Sequence, residues 1–381
     1  MLDRAHLFTL TFLSIAALAF VSCARMQTGP PIAPSAQSQM PNRATVHRAA
    51  TTSRGYAIKD LGALVGDSES QVGQGTITAG EGLNNLGQAA GLSWNPGADP
   101  TATLFDNGNA IDINTIRATA SMATAINDSG QVVGQETRSG EHCGCWHAFL
   151  YSNGAMTNIE NTAIFPFGSE AYGINKTGQV VGTGFLDTND VSYHAFLYSA
   201  GQMTDLNPFN APQSLAISIN DSGQIIGWTL PTSSTPGVAT WLYFNGTFTN
   251  LSTTNSGAYI NNNGQIAGHS TSTKHAVLYS NGTWTDLGTL PGTTSSVANS
   301  VNLSGQVVGS ATFPATYHPF KSPRPVAVVF TSSGPVDLNT LIPTNSGFTL
   351  TSAGAINNSG QIACDARKST GGLHAVLLTP M

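Results

Sequence analysis

The sequence predicts an all-β protein built from seven copies of one four-stranded unit, and three observations support this prediction. The pattern Leu/Ile/Val-Asn-x-x-Gly-Gln occurs seven times, and short apolar segments separated by turn residues follow each copy. Only 9% of the residues are charged, whereas Gly, Ser, Thr and Asn are abundant. Such a composition is typical of strand-and-turn chains and not of long helices. The motif lies at residues 83–88, 126–131, 174–179, 219–224, 260–265, 301–306 and 356–361.

The second unit shows how the four strands arise. Its apolar segments read TAIN, GQVVGQ, HAFLYSNG and AMTNIE. The first turn, Asn-Asp-Ser-Gly at residues 127–130, offers side chains that can bond forward to the backbone, and Gly130 can supply a positive φ. Ser-Asn-Gly at residues 152–154 repeats this chemistry after the third segment. We therefore predict a tight hairpin at both places in each unit.

The spacing of the units indicates their architecture. Successive motif glutamines lie 43, 48, 45, 41, 41 and 55 residues apart. Four strands in a repeat of this length predict the blades of a β-propeller, whereas the coils of a parallel β-helix, the main alternative, are usually much shorter. The consecutive apolar residues of QVVG and AFLY fit strands that are buried on both faces between neighbouring blades.

The fourth strands predict how the ring closes. Six units carry an Asp/Asn-Leu/Ile pair in this strand, but the seventh ends at HAVLLTPM without one. Residues 56–64, YAIKDLGAL, contain the missing pair as Asp60 and Leu61. We predict that this N-terminal strand completes the last blade. Residues 55–381 would then form a seven-bladed propeller with four-stranded antiparallel blades and no open sheet edge.

The repeated units resemble a known family. The stretches INDSGQVVG, HAFLYSNGAMTNI and INNNGQIAG, with the recurring His-Ala-Phe triplet, are similar to the bacterial extracellular repeats called HAF repeats. The resemblance covers about residues 56–381. It implies an exported protein, and it implies no particular activity.

The N-terminal region predicts export. Residues 1–23 combine Arg4 with an apolar run from Leu7 to Val21, which is too short for a stable membrane span and is typical of a signal peptide. Residues 24–54 hold few large apolar side chains, so we predict a disordered tether. These features place residues 55–381 outside the cell or at its surface.

Cys23 predicts a lipid anchor. It follows Phe-Val-Ser and resembles the acylated cysteine of bacterial lipoproteins, which favours an outer-membrane lipoprotein. Two departures from that pattern are Phe20, where leucine is usual, and Asp3, which offsets Arg4. Cleavage after residues 17–19 or after Ala24, which would release a free secreted protein, is the alternative.

The polar residues of the repeats do not predict a metal site. Calcium loops need several carboxylates, and Asp128 and Asp221 are the only acids in the seven motif turns. Four histidines share one slot at the start of the third strand, but ring symmetry keeps them apart. We expect each to bond locally to the Asp or Asn of the fourth strand. These histidines are His147, His194, His275 and His374.

Cysteine chemistry is expected at two further places. Residues 141–147, EHCGCWH, concentrate metal-type side chains, but zinc sites usually use two separated ligand pairs. In an exported chain we prefer a disulfide between Cys143 and Cys145. Cys364 replaces the second glycine of GQVVG inside a strand, so we predict a small buried thiol. No cofactor motif is present, and we expect no cofactor.

Binding residues are expected on one face of the propeller. The turns between strands one and two and between strands three and four are short, and they define the turn face. The longer, variable connections leave the opposite side, which we name the loop face, and binding residues concentrate on loops of this kind. Aromatic rings among polar residues suit a sugar or a peptide, although they can instead cap the ends of blades. The candidates are Trp94, His142, Trp146, Tyr193, Trp228, Tyr317, His318 and Lys321.

Two functions are compatible with these features. The first is an exported, non-catalytic binding or scaffold protein that recognises a glycan or an extracellular protein. The second is a polysaccharide lyase or glycoside hydrolase with an acid pair assembled from the loops. Its candidate acids are Glu136, Glu141, Asp187 and Asp190. A net charge of −6 without a basic stripe argues against nucleic acid as a partner. Membranes are expected as a partner only through the lipid anchor.

Overall fold

The computed structural model describes residues 55–73, 81–138, 145–188, 191–230, 239–315 and 323–381. Its strands form seven four-stranded antiparallel sheets, which pack around a common axis as the blades of a β-propeller. The predicted signal peptide, Cys23 and the predicted tether lie outside the described residues. Within the described part of the chain, no helix combines the length and apolarity that a membrane span requires.

The blades are numbered in the order of their motifs, and in each the first strand is innermost. Blades 1 to 4 consist of β2 (Glu69–Val72), β3 (Ala89–Trp94), β4 (Thr101–Asp106) and β5 (Asn109–Asp112); β6 (Ala120–Ile126), β7 (Val132–Thr137), β8 (His147–Ser152) and β9 (Ala155–Asn158); β10 (Ser169–Ile174), β11 (Val180–Phe185), β12 (Tyr193–Ser199) and β13 (Gln202–Asp205); β14 (Ser214–Ile219), β15 (Ile225–Thr229), β16 (Ala239–Phe244) and β17 (Thr247–Ser252).

Blades 5 to 7 follow the same order, and the last takes its fourth strand from the N-terminal segment. They consist of β18 (Asn255–Ile260), β19 (Ile266–Ser270), β20 (Ala276–Ser280) and β21 (Thr283–Gly288); β22 (Ser295–Val301), β23 (Val307–Phe313), β24 (Arg324–Thr331) and β25 (Gly334–Asp337); β26 (Phe348–Ile356), β27 (Ile362–Lys368), β28 (Leu373–Pro380) and β1 (Tyr56–Asp60). Two 3₁₀ helices, Pro208–Asn210 and Leu338–Thr340, lie in connections between blades.

The hydrophobic core lies between the blades. Seven clusters of buried apolar side chains each join two neighbouring blades. In one of them, Val133 of blade 2 packs with Ile174 and Phe196 of blade 3. Trp241, which the sequence places in the Phe slot of the third strand, is fully buried as expected. Because both faces of a blade are covered, apolar residues follow one another along its strands.

The second glycine of the motif strand is required by close packing. A Cβ atom at Gly134 would lie 2.0 Å from the carbonyl oxygen of Met122 on the neighbouring inner strand, and one at Gly182 would lie 1.9 Å from that of Glu170. Blade 7 has Cys364 at this position. The pairing of its inner strand β26 with β27 shifts register twice, whereas the inner strands of other blades that shift do so once. The additional shift makes room for the Cys364 side chain. Cys364 is a buried free thiol, as predicted.

The outer hairpins confirm the predicted tight turns. In five blades both central residues have a positive φ, for example 53° at Asn153 and 82° at Gly154. This is the type I′ geometry, whose twist matches the twist of the flanking strands. Blade 3 has Ala200, with a φ of 50°, where the other four blades have Asn. Alanine is strained in this region because its Cβ approaches the following carbonyl oxygen.

We expect the substitution Ala200→Asn to raise the free energy of unfolding by about 0.5–1 kcal/mol, because Asn tolerates left-handed backbone better than Ala. Urea denaturation with an unchanged slope would measure this difference. The matched control is Asn153→Ala, the reverse change in the same turn of blade 2, which should lower stability by a similar amount. A destabilised Ala200→Asn variant would contradict the turn geometry.

The ring closes as the sequence predicts. β1 pairs with β28 in antiparallel register, from Tyr56 opposite Pro380 to Asp60 opposite Val376. The Asp60 carboxylate accepts hydrogen bonds from the Gly62 backbone N–H at 2.9 Å, from His374 Nδ1 at 3.1 Å and from Lys368 Nζ at 3.2 Å. Burial opposes ionisation of Asp60, but these bonds outweigh it and lower its pKa. The two chain ends are therefore joined by a strand pair and by a small charged network.

Candidate functional site

Four of the predicted aromatic binding residues fall in the described part of the chain, at the loop-face ends of their strands. Trp94 and Trp146 are partly buried. Tyr193 is only 7% exposed and packs edge-on to Phe185, so the prediction of an exposed ring is wrong there. Trp228 is partly buried and donates its indole N–H to the Gly257 carbonyl of the next blade at 2.8 Å. Trp94 and Trp146 therefore remain the better candidates for contact with a ligand.

The remaining candidates of the loop face lie outside the described residues. These are His142, Cys143, Tyr317, His318 and Lys321. Cys145 is a disulfide cysteine, but its pairing with Cys143 stays a prediction. The Trp146 carbonyl accepts the Ser169 backbone N–H at 2.8 Å, which fixes the backbone beside Cys145 to blade 3.

The four recurring histidines bond locally. His194 Nδ1 lies 2.8 Å from Asp205 and His275 Nδ1 lies 3.0 Å from Asp286, both acids being on the fourth strand. His374 contacts Asp60 in the same way, with β1 as its fourth strand. In blade 2 the prediction that His147 bonds to Asn158 is wrong. His147 bonds instead to Glu160, which lies two residues after Asn158 in the chain. The longer side chain of Glu reaches the same ring nitrogen from a later position.

Blade 2 also contains the strongest charge cluster of the loop face within the described residues. Arg138 contacts Glu136 at 3.1 Å and Glu160 at 3.2 Å. Burial raises the pKa of Glu136. Burial also acts on Glu160, but the hydrogen bond from His147 outweighs it and lowers the pKa of Glu160. Although opposed pKa shifts are typical of acid–base pairs, Glu136 is fully buried, so it is closed to a substrate.

The opposite, turn face is organised by the motif asparagines. Each lies in the motif turn, where its Oδ1 accepts two backbone N–H groups, as at Asn261 from Asn263 at 2.9 Å and Gln265 at 3.0 Å. Its Nδ2 donates to the motif Gln and also to the backbone carbonyl of the corresponding Asn in the next blade. These inter-blade bonds run Asn84→Asn127→Asn175→Asn220→Asn261→Asn302→Asn357→Asn84.

This closed circle, which we name the Asn ring, explains why the motif recurs. A hairpin needs only a turn-forming residue at the first position, but an inter-blade bond of this geometry needs the amide N–H as well. The seven donor–acceptor distances range from 3.0 to 3.2 Å. Every asparagine of the ring is almost fully buried. Water cannot reach its amide N–H, so the bond to the next blade supplies the partner that this buried donor needs.

A second, more exposed set of bonds surrounds the Asn ring. The residue after each motif Asn can accept the backbone N–H of its counterpart in the preceding blade, as Asp128 does from Asn85 at 2.8 Å and Asp221 does from Lys176 at 2.9 Å. Five of the seven positions are joined in this way. The two breaks precede Lys176 and Leu303, whose side chains offer no acceptor. Asp128 and Asp221 therefore join the turns of neighbouring blades, a role that the turn chemistry of the sequence did not predict.

A cavity of about 100 Å³ opens at the centre of the Asn ring, and we name it the central mouth. Its rim carries Asp128, Lys176, Asp221 and Asn262, and its inner wall carries Glu81 and Tyr259. Glu81 belongs to blade 1, whereas the Ser218 hydroxyl that donates to it at 2.5 Å belongs to blade 4. Glu81 therefore reaches across the axis. In the other blades the equivalent position of the inner strand carries no acid.

Burial controls the ionisation of both groups in the inner wall. Glu81 is 7% exposed, and burial raises its pKa to about 8 even though Ser218 donates to it. At neutral pH the carboxyl therefore holds its proton for most of the time. Burial also raises the pKa of Tyr259, and the negative charges of Glu81, Asp221 and Asp128 raise it further. With Glu81 protonated, the two carboxylates Asp128 and Asp221 still outnumber Lys176 among the lining side chains, so the net charge of the central mouth is negative.

Ionisation of Glu81 makes stability depend on pH. Its pKa rises from 4.5 in the unfolded chain to about 8 in the folded protein, so the folded state binds the proton more tightly. The resulting stabilisation is complete below about pH 4.5 and is lost as the pH rises to about 8. We expect the free energy of unfolding to fall by about 1 kcal/mol per pH unit within this window. The titratable groups that line the central mouth with Glu81 are Tyr259, which is neutral, and the charged Asp128, Asp221 and Lys176.

The substitution Glu81→Gln should reduce this slope, which urea unfolding between about pH 5 and about pH 8 would measure. Some slope should remain, because burial also raises the pKa of Asp365 to about 7. The matched control is Asp99→Asn, which removes an exposed carboxyl and should leave the slope unchanged. An equal slope in wild type and Glu81→Gln would contradict the raised pKa.

The described residues contain no grouping of three or more His, Cys, Asp or Glu side chains that could hold a metal ion. The acids of the central mouth come from different blades, and Lys176 Nζ lies 3.8 Å from Asp221. The loop-face acids Glu141 and Asp190 lie outside the described residues. The carboxyl of Asp187 accepts the backbone N–H of Val191 at 3.1 Å, which is the role of a turn residue.

The fold and the Asn ring define a seven-bladed β-propeller protein whose blades are joined by one repeated motif. Residues 49–283 match the family described as "Protein of unknown function (DUF3466)", and this range is more than half of the chain's 381 residues. The chain belongs to this family. No curated protein matches it.

Comparison with solved structures gives one β-propeller domain at a TM-score of 0.50 and further structures at lower scores. The β-propeller domain of the Trilobed protease from Pyrococcus furiosus, described as having an open velcro topology, aligns with a TM-score of 0.50 at 10% identity over 82% of this chain and 98% of that domain. TolB from Acinetobacter baumannii aligns at 0.39 and 13% identity over 77% of this chain, and a prolyl endopeptidase aligns at 0.49 and 9% identity over 82%. This chain spans only 63% and 50% of those two structures. At 10% identity the likeness to the Trilobed protease domain shows the fold alone.

Proposed function

We propose that the protein is an exported, non-catalytic binding module that recognises a glycan or another extracellular protein through its loop face. The main support is the contrast between the two faces. The turn face repeats one bonded hairpin in every blade, whereas the loop-face connections differ in length and sequence from blade to blade. A rigid scaffold with one variable face is a common arrangement for binding proteins.

Trp94 and Trp146 are the proposed contact residues within the described part of the loop face. Each retains some exposure at a strand end, and their backbones are held by neighbouring segments: the Trp94 carbonyl accepts the Ser68 N–H at 3.3 Å. Rigid aromatic side chains lose little entropy on binding and present a flat surface that suits a sugar ring or a peptide. His142, Tyr317, His318 and Lys321 are proposed to contribute from the same face.

The proposal is tested by probing glycan and protein arrays with the full-length chain. A ligand found there should lose at least tenfold in affinity with Trp94→Ala and Trp146→Ala combined. The matched control is Leu86→Ala, which removes an apolar side chain that is 70% exposed on the turn face and should leave binding unchanged. Binding that survives the double substitution, or degradation of a polysaccharide ligand that Glu136→Gln abolishes, would contradict the proposal.

We further propose that residues 1–23 direct export, that Cys23 is acylated, and that residues 24–54 hold the propeller away from the membrane. The support is the sequence pattern at residues 1–54 and the resemblance to extracellular HAF repeats. In a bacterial host fed with labelled palmitate, the wild-type chain should incorporate label and Cys23→Ser should not. A labelled Cys23→Ser variant, or an unlabelled wild type, would overturn the anchor.

A further inference from the structure

The central mouth has no part in the loop-face function, yet its chemistry is specific. Among the side chains that line it, three carry carboxyl groups, namely Glu81, Asp128 and Asp221, and only Lys176 carries a positive charge. The Lys176 side chain is 62% exposed and its Nζ lies 3.8 Å from Asp221. The Lys176 ammonium therefore lies at the solvent-exposed rim beside Asp221, and it does not pair with Glu81 in the inner wall.

The inner wall of the central mouth offers acceptors. The Glu81 carboxyl is one of them, and the Ser218 hydroxyl and the Ile219 backbone N–H donate to it from the opposite side of the axis. Tyr259 contributes a hydroxyl to the same wall, and within the described residues no hydrogen bond joins this hydroxyl to another protein group. The amide N–H groups of the Asn ring are already donated to the next blade and to the motif Gln. Once Glu81 is ionised, its two carboxylate oxygens and the Tyr259 oxygen are acceptors, and the Tyr259 O–H is the one donor of the inner wall that is not used within the described residues.

We propose that the central mouth binds an aliphatic primary ammonium group. An ammonium has three N–H donors, no acceptor and a full positive charge. It therefore matches a mouth in which Asp128 and Asp221 outnumber Lys176 and in which the Glu81 carboxyl can ionise. A cavity of about 100 Å³ has room for the ammonium and the first carbons of its chain. The site therefore binds only the amine end of a longer ligand. The site is separate from the loop face and does not rest on the function proposed for that face.

Glu81 changes its charge when such a ligand binds. The free carboxyl is mostly protonated at neutral pH because burial raises its pKa to about 8. An ammonium beside it favours the carboxylate, so the proton of Glu81 leaves to solvent as the ligand enters and an ion pair forms. Tyr259 stays protonated, since its own pKa lies above the usual value, and its hydroxyl oxygen accepts from the ammonium.

The probes are n-butylamine and the peptide Gly-Lys-Gly, each paired with a neutral analogue, n-butanol and the peptide with acetylated lysine. Titrations of the full-length chain by NMR at about pH 8 would follow the side-chain amides of the Asn ring. We expect at least one amine to bind at least tenfold more tightly than its analogue, a difference typical of a buried ion pair compared with a neutral group. Binding of butylamine alone indicates a free amine as ligand, and binding of the peptide indicates a lysine side chain.

Glu81→Gln provides the decisive variant. It replaces a mostly neutral carboxyl by a neutral amide of similar shape, so the fold should persist, and circular dichroism would verify this. Amine affinity should fall at least tenfold, whereas Asp99→Asn, the exposed control, should bind as wild type does. The proposal is overturned if amine and analogue bind equally, if Glu81→Gln binds the amine as tightly as wild type, or if neither amine binds up to about 50 mM.

Discussion

A chain that begins at Gly62 will lose most of its stability. It lacks β1, whose Tyr56 belongs to the core between blades 6 and 7, and also Leu61, which belongs to the core between blades 7 and 1. Burying two side chains of this size contributes about 2 kcal/mol each. The loss of a five-residue strand pair and of the Asp60 network adds to this, so we expect a decrease of about 5 kcal/mol or more. That is comparable to the whole stability of many domains.

The same deletion should also make the protein self-associate. Without β1, strand β28 becomes an open edge whose unpaired N–H and C=O groups can pair with another chain. The control begins at Gly55, which retains β1 and the bond from the Met381 N–H to the Gly55 carbonyl. Urea denaturation and size-exclusion chromatography would compare the two. A monomeric Gly62 chain as stable as the Gly55 chain would mean that β1 does not complete the ring.

The substitution Asn261→Ala should lower the free energy of unfolding by about 3 kcal/mol. It removes a buried amide that joins its own turn and the Asn302 carbonyl of the next blade. Buried polar groups left without a partner cost about 1–3 kcal/mol each. The backbone N–H and the side-chain oxygen of Gln265 lose their partner, whereas the Asn302 carbonyl keeps the Gly305 N–H and loses only its inter-blade bond. The loss is therefore larger than for a surface turn.

Asn262→Ala is the matched control for this prediction. Asn262 is the next residue in the same turn and bonds to Asp221 at 2.8 and 2.7 Å, but it is exposed. Its removal should cost less than about 1 kcal/mol, since water can replace both bonds. Chemical denaturation of both variants would test the difference. Equal effects at the two positions would contradict the role of the Asn ring between blades.

The blades, the hairpins and the closing strand were predictable because they depend on local and repeated signals. The motif turn shows its geometry in four residues, and the missing fourth strand could be found by counting Asp/Asn-Leu/Ile pairs. The bond of the His slot was predictable for the same reason, since His194 and Asp205 face each other within one hairpin. Blade 2 departed from the pattern because it has Asn158 where the other three His-bearing blades have Asp, and Glu160, two residues later, supplies the carboxylate.

The central mouth was not predictable in the same way. Glu81 and Ser218 are 137 residues apart in sequence, and they meet only because the ring brings blades 1 and 4 to opposite sides of one axis. One signal was present: Glu81 is an acid where the other inner strands have Thr, Tyr, Ile, Ala, Asn or Gly. The invariance of the motif Asn was a second signal. A turn tolerates Asp or Ser at that position, so seven asparagines indicated a need for the amide N–H.

The burial of Tyr193 shows why exposure at the loop face was hard to predict. A ring at a strand end can point outward or pack back on its own blade, and the sequence around Tyr193 is compatible with both. Its contact with Phe185 depends on the pairing of β11 with β12, in which these two residues lie directly opposite each other. Exposure thus depends on register, which the alternation of apolar and polar residues does not fix in strands buried on both faces.

Closure of the ring is most directly tested by a disulfide between its two ends. Ala57 and Thr379 are exposed and lie directly opposite each other in the β1–β28 pair, within the range of Cα separations that a disulfide can span. The variant with Ala57→Cys and Thr379→Cys should form an intramolecular bridge under mild oxidation, seen by mass spectrometry, and should gain stability. The variant with Ala57→Cys and Thr283→Cys, which places the second cysteine on the outer strand of blade 5, should form none. A bridge in the control but not in the first variant, or none in either, would contradict closure by the N-terminal strand.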